Sequence, residues 1–217
     1  MTLNEFAYEV LKPDVKHPNI YESLDSGQNT QIVGHRQSGR STVLAVYMAY
    51  HLITNTNNDS RTIMFTSFNS TAGMEVISVV KELVVKYYGG GDEIKVDMRH
   101  KLVVGNNIVE YYDAKRPDSL RDMRDVRAII VDETSVSLND EHYVYSTLIH
   151  SSKLIDAQVV WIGKRPRIKQ DINFNFFPIQ WIDSGLVNED MIALKSMFGD
   201  TGFHTRYERM TPYFTEG

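Results

Sequence analysis

With 217 residues, 42% of them hydrophobic, and a net charge of −5, the chain can bury one sizeable core and is not coated in basic residues, although a local nucleic-acid patch stays open. It has no cysteine, which excludes disulfides and thiolate metal sites and suits a reducing compartment, and its seven histidines are scattered without ligand spacing. The N-terminal stretch carries early acids and no long apolar run, so it reads as neither a signal peptide nor a membrane span.

Leu3, Phe6, Ala7, Val10 and Leu11 fall on one face of a short amphipathic helix that Pro13 halts. Residues 19–30 are polar, include Gly27, and lead into a first core strand at Gln31-Ile32-Val33. Directly after it stands Gly34-His35-Arg36-Gln37-Ser38-Gly39-Arg40-Ser41-Thr42, which opens the helical pattern Val43, Val46, Tyr47, Tyr50. The spacing of Gly34, Gly39, Arg40 and Ser41 is that of a phosphate-cradling loop. Its glycines let backbone N–H groups wrap a phosphate, and the next helix presents its positive end. Arg40 stands where such loops carry Lys, replacing a slim point charge by a planar five-donor fork. A Gly-rich turn ahead of a helix is, taken alone, also compatible with a plain turn.

The helix is expected over about 41–54, followed by a polar turn from Asn55 to Ser60 and a second strand, Thr62-Ile-Met-Phe-Thr66. Ser70 or Thr71 is placed to cap a helix carrying Met74, Ile77, Val80, Leu83 and Val84, which runs to Gly89-Gly90-Gly91. Residues 94–112 read as β-structure: Lys101–Val104, a turn at Gly105-Asn106-Asn107, then Ile108–Tyr112. Arg127-Ala-Ile-Ile-Val-Asp-Glu133 is a short apolar run ending in two carboxylates, the form of a buried parallel strand that delivers acids to its C-terminal edge. Adjacent acids after a strand are otherwise a polar turn. Joined to a phosphate loop upstream, they make a nucleotide-hydrolysis signature, with Asp132 toward the Mg²⁺ shell and Glu133 polarising the attacking water. A helix near 140–152, the strand Gln158–Ile162 and more irregular structure complete the chain. Strands alternating with helices imply an α/β fold, a mostly parallel sheet flanked by helices, with ligand at the C-terminal strand edges.

Arg36-Gln37-Ser38-Gly39 within the loop, and Arg116-Pro117-Asp118-Ser119-Leu120-Arg121 shortly before the Ala128–Glu133 strand, carry a resemblance. Together they resemble the ATPase domain of the large terminase subunit of tailed bacteriophages, which packages double-stranded DNA into procapsids. The similarity runs from about residue 30 to the C-terminus, where Gly202-Phe203-His-Thr-Arg206-Tyr207-Glu208 is similar to the segment closing the family's ATPase half. The resemblance implies a P-loop NTPase of the ASCE type, ATP and Mg²⁺ as cofactors, and a single ATPase domain over 1–217. Within it, residues 1–30 would be a lead-in, 31–170 the nucleotide-binding core and 171–217 a C-terminal subregion.

Carried over position by position, the resemblance places Arg40 at the phosphate-binding Lys and Ser41 at the Mg²⁺-ligating hydroxyl. Asp132 becomes the metal-side acid and Glu133 the catalytic carboxylate. Gly34, His35, Gln37, Ser38, Gly39 and Thr42 complete the loop around the phosphates. Arg36 matches an arginine that senses or stabilises nucleotide in cis. Arg121 matches one implicated as a finger reaching a neighbouring subunit's nucleotide, with a solvated or salt-bridged loop residue as the alternative.

The chain departs from the family at three points. Arg40 replaces Lys; Gly163-Lys164-Arg165-Pro166 stands where a Thr/Ser-Thr-Pro coupling motif is usual; and the usual second half, an RNase-H-like nuclease, has no room. The nuclease is then on another chain or absent, or this is an isolated domain. Lys164, Arg165, Arg167 and Lys169 form the dense basic cluster, read as phosphate grips on DNA, a solvated loop or contacts in trans. Phe174, Phe176, Phe177 and Trp181 read as core packing and not as a base-stacking platform. The sequence does not give the adenine contacts, for which Tyr21 or Gln28 is only a guess.

The expected function is an ATPase that drives packaging of double-stranded DNA into a viral procapsid. Implied partners are duplex DNA, further copies in a homo-oligomeric ring, a portal and a small terminase subunit, with no membrane. The implied place is the host cell cytoplasm, transiently at the procapsid portal vertex. The alternatives are a helicase-like nucleic-acid-stimulated ATPase and a nucleotide-binding assembly protein that does not hydrolyse.

Overall fold

The computed structural model describes residues 1–12, 18–34, 39–54, 60–66, 71–113, 125–132, 156–163 and 175–179. Two short helices, α1 (Leu3–Leu11) and α2 (Pro18–Asp25), lead into β1 (Thr30–Gly34), α3 (Arg40–Ile53), β2 (Ser60–Thr66) and α4 (Thr71–Tyr88). A hairpin region follows, made of β3 (Ile94–Met98), β4 (Lys101–Val104) and β5 (Asn107–Asp113), and then β6 (Val126–Asp132), β7 (Gln158–Gly163) and β8 (Asn175–Ile179).

All eight strands share one sheet in the order β3-β4-β5-β2-β6-β7-β1-β8. From β5 to β8 every neighbouring pair is parallel, and only the β3–β4 and β4–β5 pairs are antiparallel. The strand that ends in the glycine loop and the strand that ends in Asp132 are therefore separated by β7 alone. All three deliver their last residues to the same edge, where ligands bind in open parallel sheets.

Both sheet faces are buried, as parallel strands require. Ile32, Met64, Ala128, Ile130, Val160 and Ile162 pack with α1 to α4 in one apolar cluster. On the opposite face Val33, Ile63, Ile129, Val131, Val159 and Trp161 are also buried. Every residue of α3 from Val43 to Leu52 is buried, which explains why this helix reads as apolar almost all round.

The 1–30 stretch is more than a lead-in. α1 is started by a capping box in which Thr2 Oγ1 accepts from the Glu5 amide and Glu5 accepts from the Thr2 amide. Leu3, Phe6, Ala7, Val10, Ile20, Tyr21 and Leu24 from the two helices belong to the same apolar cluster as β1 and α3. The polar composition of 19–30 concealed α2, whose Ile20, Tyr21 and Leu24 supply the one-sided apolar spacing. Likewise the irregular structure expected near the end contains β8, which pairs with β1 along its whole length.

The β4–β5 hairpin turns at Gly105-Asn106, with Gly105 at a φ of 59°. A two-residue hairpin loop needs such a left-handed residue. The next residue, Asn107, donates from Nδ2 to the carbonyls of Leu52 (3.0 Å) and Thr54 (2.6 Å), closing the C-terminal end of α3. The helix on which the loop ends is thus fastened at its far end to the antiparallel part of the sheet.

Candidate active site

The described part of the site is built from three strand ends and one helix start. β1 is fully buried along its length and stops at Gly34. The chain re-enters the described structure at Gly39, which sits at φ 85°, ψ 4° as the N-cap of α3. That left-handed conformation is open to glycine at low cost and not to a β-branched residue, which is why the loop's second glycine stands there. Gly39 offers no side chain to cap the helix, and its carbonyl accepts from the Val43 amide at 3.0 Å. The first-turn N–H groups therefore point toward the loop without an N-cap side chain competing for them, which is what a phosphate needs.

Asp132 is the last residue of β6 and only 8% exposed. Side chains alternate along a strand, so Asp132 shares the face of Ala128 and Ile130, the one covered by α3. Register fixes its place further: Asp132 lies opposite Ile162 of β7, and Ile162 lies opposite Ile32 of β1, two residues before Gly34. A carboxylate and a glycine loop are thus brought to one edge about two strand spacings, or about 10 Å, apart. Arg40 begins α3, and its Nη1 donates to the backbone carbonyl of Gly163 at 2.6 Å. Gly163 ends β7, so the guanidinium reaches across the gap between Asp132 and the loop. Ser41 and Thr42 are exposed on the same first turn of α3.

Gly34, Gly39, Arg40, Ser41, Thr42 and Asp132 are thereby gathered at one edge. His35, Arg36, Gln37, Ser38, Arg121, Glu133, Lys164, Arg165, Arg167 and Lys169 lie outside the described residues, as do Phe174, Trp181 and the helix expected near 140–152. Among the described residues no cluster of three or more His, Asp or Glu could hold a metal ion. The hydroxyl of Ser41 and the carboxylate of Asp132 are hard oxygens, the kind of donor that could serve a Mg²⁺ ion at this edge.

The structure puts Gln28 away from the glycine loop and buries Tyr21. Gln28 precedes β1 and lies at the opposite edge. Its carbonyl accepts from Thr30 Oγ1 at 2.9 Å and from Gln158 Nε2 at 2.6 Å, and its side chain is bonded to Asn175. Gln158 and Asn175 start β7 and β8, so this polar knot ties the N-terminal strand ends together, far from the loop. Tyr21 is 1% exposed inside the apolar cluster, and burial holds its hydroxyl well above the usual tyrosine range. The cavity of about 150 Å³ lined by Tyr47, His51, Arg127 and Gln158 also lies at this opposite edge. Sequence reading had no signal for Gly163 either, because it takes part through its carbonyl and through its place at a strand end.

No protein-family model matches the chain, and no curated protein matches it. Solved structures do. An arginine-to-alanine mutant of the large terminase ATPase domain of Thermus phage P74-26 superposes with a TM-score of 0.65 at 16% identity, covering 93% of this chain and 96% of that one. The large terminase of a thermophilic bacteriophage in complex with ADP gives 0.62 at 12% identity, over 93% of this chain and 50% of that one. A DEAD box protein from Methanococcus jannaschii gives 0.50 at 15% identity, over 83% and 55%. At these identities the likeness is one of fold. The chain therefore has the fold of the ATPase domain of phage large terminases, a mostly parallel sheet flanked by helices.

Proposed function

We propose that this chain is a terminase-like ATPase that hydrolyses ATP to move double-stranded DNA into a viral procapsid. The observation that carries the reading is the meeting of an uncapped helix start after a left-handed glycine with a buried-strand carboxylate at one sheet edge, in this fold. First-turn amides of α3, the loop 34–42 and Arg40 would hold the phosphates, while Ser41 and Asp132 would hold Mg²⁺. When bound, that ion supplies charge neutralisation at the phosphates. Glu133 would orient and polarise the attacking water, Arg36 would steady the nucleotide in cis, and Arg121 would reach a neighbour's nucleotide within a ring. Lys164, Arg165, Arg167 and Lys169, which follow β7 in the sequence, would grip duplex phosphates. The chain's partners would be further copies in a ring, the portal and a small terminase subunit, at the portal vertex in the infected cytoplasm. No described helix is long and apolar enough to cross a membrane.

The second reading is a nucleotide-binding assembly protein without turnover, favoured by Arg40 being engaged on Gly163. Steady-state ATPase assays with and without duplex DNA separate the readings. DNA-stimulated hydrolysis is expected; nucleotide binding with no turnover under either condition would establish the second reading instead.

A further inference from the structure

Arg40 and Gly163 are 123 positions apart in sequence and are joined by a side-chain bond that crosses the candidate site. The carbonyl belongs to the last residue of β7, and β7 lies between the strand that ends in Asp132 and the strand that ends in Gly34. Val33 of β1 is in register with Gly163, so this carbonyl stands beside the residue from which the loop departs. The guanidinium that would meet a phosphate is therefore held against the strand that separates the loop from the carboxylate.

A neutral carbonyl and a phosphate oxygen are unequal acceptors. The arginine donor is charged in both bonds, but only the phosphate adds an opposite charge and accepts two parallel N–H donors. A lysine at this position would present one compact ammonium without the fork that lets Arg40 lie along the strand end. Arg40 is partly buried and not sealed from solvent, which leaves its side chain room to move.

Resting on the ATPase reading above, we propose that Arg40 exchanges acceptors, leaving the Gly163 carbonyl for the phosphate when nucleotide binds, so that the end of β7 registers whether the loop is filled. Arg40 is then a positioning residue for β7 as well as a phosphate ligand. The substitution of Lys by Arg becomes the feature that links the two. The exchange carries a cost: the bond to Gly163 must be given up. Nucleotide should therefore bind more weakly than to a variant that cannot make the tie, by between about twofold and tenfold, the net worth of about one hydrogen bond.

Gly163-Lys164 is the only Gly-Lys pair in the sequence, so protein labelled with ¹³C-carbonyl glycine and ¹⁵N-lysine gives a single carbonyl–amide cross-peak that reports this carbonyl. Saturating Mg·ADP should move the Gly163 carbonyl resonance upfield, the direction of a lost hydrogen bond. In Arg40→Ala the resonance should lie upfield already and stay there on addition of nucleotide, and in Arg40→Lys Mg·ADP should bind between about twofold and tenfold more tightly than in the parent. Binding is followed separately with a fluorescent ADP analogue, and folding of both variants by their thermal transitions. A parent that binds the analogue while its Gly163 resonance stays fixed overturns the exchange and leaves the ATPase reading standing. Should Arg40→Ala fail to fold, Arg40→Lys decides: a resonance that matches the parent's in both states overturns the proposal. A parent that binds no nucleotide overturns both.

Discussion

Asp132 and Ile32 are in register across one intervening residue, Ile162, so the carboxylate at the end of β6 and the approach to the glycine loop at the end of β1 are set by the same run of strand pairing. Nothing local places the acid there. Its position follows from the parity of β6, in which Ala128, Ile130 and Asp132 share the face that α3 covers. If that carboxylate holds Mg²⁺, Asp132→Asn should remove the metal-dependent part of nucleotide affinity while binding without Mg²⁺ is kept. Titrations of ADP with and without Mg²⁺ check this, and an unchanged metal dependence would take Asp132 out of the metal site.

Glu133 follows Asp132 directly, and its assignment is chemical. An amide keeps the size of the carboxylate and loses its basicity, so Glu133→Gln should abolish turnover and leave ATP binding nearly intact. Turnover at the parent rate would remove Glu133 from the mechanism.

Much of this was legible in the sequence, for reasons that differ by element. The loop and the acidic strand announce themselves because their chemistry demands fixed residue types at fixed spacing, and β1, α3, α4 and β5 because their apolar periodicity is strong. α2 was hidden because Pro18, Asn19, Glu22, Ser23 and Asp25 dilute a three-residue apolar face that acquires meaning only against α1 and α3. The polar knot of Gln28, Gln158 and Asn175 was hidden for another reason. A glutamine between a helix and a strand carries no sign of which sheet edge it will occupy, and topology alone sends it to the edge opposite the glycine loop. The bond from Arg40 to Gly163 has no sequence signature, since its acceptor is backbone.

Loss of the Arg40 guanidinium should weaken nucleotide binding by an amount set by two opposing bonds. A charged hydrogen bond to phosphate contributes about 1.5–3 kcal/mol, and about 1 kcal/mol is forfeited at Gly163, leaving a loss of about 0.5–2 kcal/mol in Arg40→Ala. Arg40→Lys should retain or increase turnover. Calorimetric titration of ADP measures the first and steady-state hydrolysis the second. An alanine variant that binds ATP as the parent does would reduce the loop to a structural turn.

His51 gives the fold a pH dependence that is separate from the site. It is 3% exposed on α3, shares a hydrogen bond between Nδ1 and Thr62 Oγ1 (2.6 Å), and stacks on Tyr47 at 4.2 Å. Burial, and then the nearby Arg127 guanidinium, hold its imidazole well below the ordinary histidine range. Asp25 and Asp156, which also line the cavity, do not reverse the shift. The folded pKa is thus lower than the unfolded value of about 6.5. The unfolded chain binds the extra proton, so the His51 contribution is complete above about pH 6.5 and is lost as pH falls below it, by up to about 1.4 kcal/mol per unit. Urea unfolding at pH 7.5, 6.0 and 5.0 should show His51→Asn less stable than the parent at pH 7.5 but flatter with pH. Equal slopes in the two proteins would refute the assignment.

Whether Arg121 acts between subunits decides whether this chain is part of a motor or a lone hydrolase. An arginine supplied in trans leaves each subunit's own binding site intact, so Arg121→Ala should bind ATP normally and hydrolyse it poorly. Mixing then resolves the geometry. Arg121→Ala and Glu133→Gln proteins are each expected to be inactive alone. When they assemble together, an intact Arg121 from the second variant can serve a site that keeps its own Glu133 in the first, and partial activity should return. If mixing restores nothing while subunit exchange is demonstrated independently, for instance by energy transfer between labelled chains, Arg121 works in cis or belongs to the charged stretch of Arg116, Asp118, Asp122, Arg124 and Asp125. The dependence on protein concentration gives a second, independent reading. A site completed by a neighbour loses specific activity on dilution below the assembly threshold, whereas a self-sufficient monomer hydrolyses ATP at the same rate per chain at every concentration.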